Sequence, residues 1–240
     1  MLHSDHLGHL YPECKLAQMP TRGVLYVKFG TAVNALLERS LRSLKQFHPE
    51  LPAHIHDEPL PSNMLIKCRM ADFTPFDETL YLDTDTVVLG RLDFAFDKAA
   101  RHGLACCINE CPWAKRYSGF DPDIIEYNSG VLFFTRAAQA VFDRYKEASA
   151  RVNSTVHAWT GGNIVTAPHQ DQAVLAKAIE ETGFSPFVLP LNWNFRPDSQ
   201  KIFYGPIKIW HAYRDPPPSL HDWNREQSAP GAIIKYGLVQ

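Results

Sequence analysis

The chain has no surplus of charge of either sign. Its 24 Lys and Arg residues stand against 26 Asp and Glu, a formal net charge of −2 over 240 residues. Nucleic-acid binding needs a basic surface to neutralise phosphates, so no nucleic-acid partner is expected. Long apolar runs are also missing: no stretch approaches the ~18 residues of a membrane-spanning helix. The opening residues MLHSDHLGHLYPECK carry no apolar run behind a basic start, so they do not read as a secretory signal. The five cysteines are an odd number, and Cys106 and Cys107 are adjacent. That pattern fits reduced thiols and a cytoplasmic location, not a disulfide framework. Without secretion, the sequon Asn153-Ser154-Thr155 carries no meaning. Internal repeats and low-complexity tracts are absent.

What is present is a chain 45% hydrophobic, enough for one sizeable core and a single domain. Residues 1–20 show no period and read as a loosely ordered leader; His3, His6, His9 and Cys14 match no zinc spacing. Gly23–Val27 is a short, apolar, β-branched run and predicts a buried strand. Thr31 is placed to cap a helix with Val33, Leu37, Leu41 and Leu44 on one face and Pro49 beyond its end. Ala53–His56 predicts a second strand, and Ser62 a cap for a short helix carrying Lys67 and Arg69. Further strands are predicted at Leu80–Leu82, Thr86–Gly90, Leu104–Ile108, Gly130–Phe134, Phe187–Leu189 and Ile207–Trp210. Helices are predicted near 137–149 and from Asp171 to a C-cap at Gly183. Residues 110–127 read as a surface loop, and the tail from Pro216-Pro217-Pro218 as mostly irregular. Strands alternating with helices imply an α/β fold with a largely parallel sheet.

Leu80-Tyr81-Leu82 runs straight into Asp83-Thr84-Asp85. In open α/β sheets, ligands sit beyond the carboxyl ends of strands. Two carboxylates one residue apart at such an end suit Mg²⁺ or Mn²⁺, which can bridge to a diphosphate. The spacing alone is weak, since about one Asp-x-Asp is expected by chance in a chain of this composition. The second instance, Asp121-Pro122-Asp123, has no strand before it and reads as a solvated turn. Strand context distinguishes the first. Such a triplet also fits the opening motif of haloacid dehalogenase-type phosphatases, with Asp83 as nucleophile. That motif normally opens its domain, whereas here strands and helices precede it, and no Asp-Asp or Gly-Asp pair follows Asp85.

In order along the chain, these pieces resemble the GT-A glycosyltransferases that use nucleotide-diphospho-sugars, in particular the glycogenin-like and galactosyltransferase-like retaining group. Leu80–Thr86 is similar to that group's strand and metal motif. Lys67 or Arg69 stands where a basic residue faces the donor. Tyr127-Asn128-Ser129-Gly130-Val131-Leu132 looks like its Asn-x-Gly strand, and Asp171-Gln172 like its pair beside the anomeric carbon. Leu189–Asn194 is similar to the segment after that helix, and His211 ends a strand where the group has a histidine metal ligand. Two places depart from the group. Ala212-Tyr213-Arg214-Asp215-Pro216 replaces its Gly and Lys-Pro-Trp, and Lys28-Phe29-Gly30-Thr31 replaces a Thr-rich nucleotide loop.

The resemblance implies a GT-A, Rossmann-like fold: a mixed, mostly parallel sheet flanked by helices in one domain over 21–215, with 216–240 packed on it. It implies Asp83, Asp85 and His211 as metal ligands. Mn²⁺ is favoured over Mg²⁺ because imidazole suits it better. Asp171 and Gln172 are the candidate catalytic residues for transfer with retention. As a plain first-turn acid, Asp171 also suits a helix N-terminus. Lys28, Thr31, Lys67, Arg69, Thr84, Lys208 and Arg214 are candidates for donor contact, with Arg214 taking the lysine's part on the diphosphate. Asn128, Ser129, Gly130, Asn192 and Trp193 are candidates for sugar or acceptor contact. The expected partners are a nucleotide-sugar donor, UDP by default, and a glycan, lipid or protein acceptor. A catalytically silent sugar-nucleotide-binding protein would share the same residues.

Overall fold

A computed structural model of the chain describes residues 21–110, 119–121, 123–160 and 162–239. The leader expected over 1–20, with its three histidines and Cys14, lies outside them, as do Pro112 and Pro122. The short apolar runs become strands. In chain order these are β1 (Arg22–Phe29), β2 (Ala53–Glu58), β3 (Glu78–Leu82), β4 (Thr86–Val88), β5 (Leu104–Ile108), β6 (Tyr127–Thr135), β7 (Val156–Thr160), β8 (Asn163–Ala167), β9 (Phe187–Leu189), β10 (Ile202–Tyr204), β11 (Ile209–His211) and β12 (Tyr236–Leu238). The helices are α1 (Asn34–Phe47), α2 (Met70–Phe73), α3 (Asp93–His102), α4 (Gln139–Ser149), α5 (Gln172–Thr182) and α6 (Ser219–Gln227), with a 3₁₀ turn over Met64–Arg69.

Six strands form the main sheet in the order β2-β1-β3-β6-β5-β9. Only β6 runs against its neighbours; β1–β2, β1–β3 and β5–β9 pair in parallel. The sheet is covered on both faces, which is why its strands read as continuous apolar runs instead of alternating ones. Val24, Tyr26, Leu80, Leu82, Val131 and Phe133 pack on one side with Leu37 and Leu44 of α1 and Phe96 of α3. Leu25, Val27, Tyr81, Leu132 and Phe134 pack on the other with Met70, with Phe142 and Tyr145 of α4, and with Val174 and Leu175 of α5. The two-residue period of a strand sends successive side chains to these opposite cores.

Several local expectations are corrected. Thr31 does not cap α1 through its side chain; its carbonyl accepts the Asn34 amide instead. Asn63, not Ser62, caps the 3₁₀ turn by accepting the Leu65 amide. The polar stretch after Gly90 is helix α3, whose charged residues mask a buried stripe of Ala95, Phe96 and Ala99. β7 and β8 pair antiparallel as a hairpin. The tail is structured: α6 buries Leu220, and the Asn224 amide both accepts from the Ile207 N–H and donates to the Ile207 carbonyl. The Gly183 cap is present, with a left-handed φ of 63°.

Candidate active site

Asp83 follows the last residue of β3, and its amide donates to the Gly130 carbonyl across the sheet at 2.8 Å. The chain then turns tightly. The Thr86 hydroxyl donates back to the Asp83 carbonyl at 2.8 Å, and β4 leaves in a new direction. β11 pairs antiparallel with β4 in a register that sets His211 opposite Thr86. A residue remote in sequence thereby reaches the acidic turn. His211 Nε2 lies 3.3 Å from Asp85 Oδ1 and 3.7 Å from Asp83 Oδ2. One ligand atom from each of the three residues falls within 4.8 Å of the others. Two hard carboxylate oxygens and one imidazole nitrogen are a donor set that fits a divalent metal ion.

Gly130 is required by this approach. A Cβ at that position would sit 2.5 Å from Asp83 Oδ2 and closer still to His211 Cε1.

Lys67 is buried beneath the cluster. Its ammonium lies 3.0 Å from Asp83 Oδ1 and 3.0 Å from Asp171 Oδ2, and it donates to the Ser129 hydroxyl at 3.4 Å. Burial works against its charge, but the two carboxylates outweigh that and push its pKa up. Tyr81 donates to Asp83 Oδ1 at 2.6 Å, and Tyr145 to Asp171 Oδ2 at 3.2 Å. For Asp85, burial acts to raise the pKa. The His211 hydrogen bond and charge, its own backbone amide and the charge of Lys67 together hold it below the usual carboxylate range.

Two cavities meet at this floor, sharing Met64, Lys67, Asp83, Asp85 and Tyr213. The larger, of about 470 Å³, is walled by Val27, Phe29, Val33 and Tyr81 with Lys28, Asn63, Thr84 and His169 at its polar positions. The smaller, of about 240 Å³, is polar, with Asn128, Ser129, Gln170, Asp171, Gln172, Arg196, Asp198 and His211.

Comparison by sequence finds no matching family model and no matching curated protein. Comparison by structure finds glycosyltransferases. The chain aligns with the galactosyltransferase LgtC, solved with donor and acceptor sugar analogues, at 15% identity and a TM-score of 0.54, covering 88% of this chain and 92% of that one. Against mouse xyloside xylosyltransferase 1 the values are 11%, 0.52, 80% and 97%. Against the glycosyltransferase GlyE of Streptococcus pneumoniae TIGR4 they are 14%, 0.50, 90% and 58%. The fold is GT-A.

Within the GT-A frame, Asp83, Thr84, Asp85, Asn128, Ser129, Asp171, Gln172 and His211 converge, with Lys67 between them and Lys28 at the larger cavity. Other candidates lie elsewhere. Arg69 turns outward to Asp72 at 3.6 Å and over the Phe73 ring. Thr31 is exposed before α1 and lines neither cavity. Asn192 spends its amide on the Tyr204 and Pro206 carbonyls. Trp193 is core, against Phe94 and Phe133. Lys208 lies over the Trp193 ring, where burial lowers its pKa. Arg214 reaches Asp198, a wall residue of the smaller cavity, at 3.6 Å. The second Asp-x-Asp is an exposed turn, with the Asp123 amide donating to Asp121 Oδ1. A phosphatase nucleophile at Asp83 is disfavoured, since Tyr81 and Lys67 hold its carboxylate and the topology is GT-A.

Sequence reading missed Arg39 and Asn194. The Arg39 guanidinium donates to the carbonyls of Asp85, Ala212 and Tyr213 and to Asp215, tying the loop after His211 to the acidic turn. Asn194 joins Asn128 to His211. Neither role has a local sequence signature, because both consist of hydrogen bonds to distant segments.

Proposed function

We propose that the chain is a metal-dependent glycosyltransferase, moving a sugar with retention from a UDP-sugar to a hydroxyl of a glycan, lipid or protein acceptor. The observation that carries this reading is the Asp83–Asp85–His211 cluster on the shared floor of an apolar-walled and a polar cavity in a GT-A fold. The larger cavity has the size and wall chemistry of a nucleoside site, and the smaller has the hydrogen-bonding groups a sugar needs. Asp83, Asp85 and His211 would hold Mn²⁺, which when bound supplies Lewis-acid stabilisation to the departing diphosphate.

The chain's own residues contribute the rest. Lys67 offsets the negative charge that Asp83 and Asp171 bring to the floor, so an anionic donor does not meet bare carboxylates. Asp171, held by Lys67 and Tyr145, acts by position and charge, and Gln172 presents its amide toward the sugar cavity. Fixed polar groups of this kind stabilise charge developing at an anomeric carbon.

The test is a thermal-shift screen of nucleotide sugars with and without Mn²⁺. A ligand of the native state raises the midpoint by mass action. The expected result is a Mn²⁺-dependent shift with a UDP-sugar, followed by release of UDP. No shift with any nucleotide sugar, together with Mg²⁺-dependent turnover of a phosphomonoester, would overturn the proposal. A donor-induced shift without any turnover would favour the silent binding protein.

A further inference from the structure

Among the described residues, one chain of side-chain amides runs beneath the metal cluster. Its direction can be deduced from a single fixed point. The Gly130 backbone N–H can only donate, and it bonds Asn128 Oδ1 at 2.9 Å. That contact settles which end of the Asn128 amide is oxygen. Asn194 approaches the same oxygen at 2.8 Å, so it does so through Nδ2. Its own Oδ1 is therefore turned to His211 Nδ1, 2.8 Å away. An amide oxygen only accepts, so the proton lies on His211 Nδ1. With Nδ1 committed to Asn194, Nε2 is the ring nitrogen that faces the Asp83 and Asp85 carboxylates. In the other direction, Asn128 Nδ2 donates to Gln172 Oε1 at 2.7 Å. Asn128 and Asn194 are only 3% and 2% exposed, so water does not compete for these bonds.

We propose that Asn194 is a positioning residue that holds the Nδ1–H of His211, and so keeps Nε2 turned toward the two carboxylates as a metal ligand. The inference rests on the metal reading above. It goes beyond it in naming what holds the third ligand ready. A carboxylate or carbonyl partner on the far nitrogen of a ligating histidine sets tautomer and ring orientation in many metal sites. Here an asparagine amide takes that place, oriented by a backbone N–H two hydrogen bonds away.

The experiment uses the full chain labelled with ¹⁵N-histidine and free of metal. Long-range ¹H–¹⁵N spectra separate a protonated ring nitrogen from a bare one, and the His211 signals are identified by their loss in His211→Gln. The wild type should show Nδ1 protonated. In Asn194→Leu the Nδ1–H signal should lose its hydrogen-bonded shift, and Mn²⁺ affinity, read from free Mn²⁺ by electron paramagnetic resonance, should fall roughly 10–100-fold. Asn194→Asp retains an acceptor for Nδ1–H but loses the donor to Asn128 Oδ1, so Mn²⁺ binding should fall less than in Asn194→Leu. A wild-type His211 with no proton on Nδ1 would overturn the proposal without reference to any variant. So would Asn194→Leu with unchanged Nδ1–H signal and affinity. If the wild type shows Nδ1–H but binds no Mn²⁺, the Nδ1–H assignment stands and the proposed function fails.

Discussion

Replacing Lys67 by Met tests the electrostatics of the site most directly. The side chain is 3% exposed, and its ammonium lies 3.0 Å from both Asp83 Oδ1 and Asp171 Oδ2. Methionine matches its length and keeps the apolar stem packed, so the change removes charge with little change in volume. Two carboxylates then remain in a largely buried floor without their cation. Breaking a buried pair from one side costs about 3–5 kcal/mol, since a charge is left uncompensated. That is a large share of the ~5–15 kcal/mol that holds a domain together. For a chain of this size about 1 kcal/mol moves the midpoint by ~2–4 °C, so a drop of roughly 6–20 °C is expected.

The pH dependence has a defined sign. The folded pKa of Lys67 is raised, so its contribution is fully present below the unfolded value of about 10.4 and is lost only as pH climbs through the folded value. The wild-type advantage should therefore be constant across neutral pH. It should narrow in acid, where the carboxylates protonate and no longer need a cation. Mn²⁺ restores positive charge beside Asp83, so it should raise the midpoint of the variant more than that of the wild type. Differential scanning calorimetry at several pH values, with and without Mn²⁺, reads all of this. A loss under about 1 kcal/mol, as is typical of exposed pairs, would refute the picture of Lys67 as the buried counter-ion of the floor.

Three further outcomes are expected. Asp85→Asn should abolish Mn²⁺ binding by calorimetry while leaving the secondary structure intact. Because the folded Asp85 pKa is depressed, its contribution is present above the unfolded value of about 3.9 and is lost as pH falls through the folded value, so the variant should lose less stability than wild type on acidification. Arg39→Ala removes donors to three carbonyls and to Asp215; it should weaken Mn²⁺ binding and speed proteolysis of the loop after His211, and unchanged cleavage would show that the loop is held by other contacts. Trp193→Ala should destabilise the fold by about 3–5 kcal/mol, as for other buried aromatics, with metal affinity unchanged in the surviving native protein; a selective loss of donor binding would return Trp193 to the site.

What could be read from sequence follows from how each element is held. β1, β3, β5 and β6 are apolar runs because both faces of the sheet are covered, and such runs are visible without any partner. The acidic turn was legible because it sits at the end of one of them. α3 was not, since Asp93, Asp97, Lys98, Arg101 and His102 outnumber its buried stripe. The β7–β8 hairpin has its large apolar residues Trp159 and Ile164 exposed, so no core pattern announces it. For Arg69, Asn192, Trp193 and Lys208, order along the chain located the segment but not the face it presents. A rotation of one or two residues sent each to core, carbonyl or solvent. Arg39 acts on backbone carbonyls and Asn194 on the side chains of Asn128 and His211, all on other segments, a role that any arginine or asparagine in the chain could have had.

The reversed direction of β6 has a consequence for ligand entry. Its neighbours end at the site and hand over to turns, but β6 begins there, so Asn128, Ser129 and Gly130 are buried at the start of a strand whose later residues pair on both edges. The conformational entropy of that wall is surrendered when the chain folds, and a ligand meets it already shaped. The facing wall is of another kind. His169, at a φ of +59°, and Tyr213, 75% exposed, stand on irregular segments. Any adjustment on binding should therefore be concentrated there, leaving one side of the cleft as a fixed jaw and the other as the moving one.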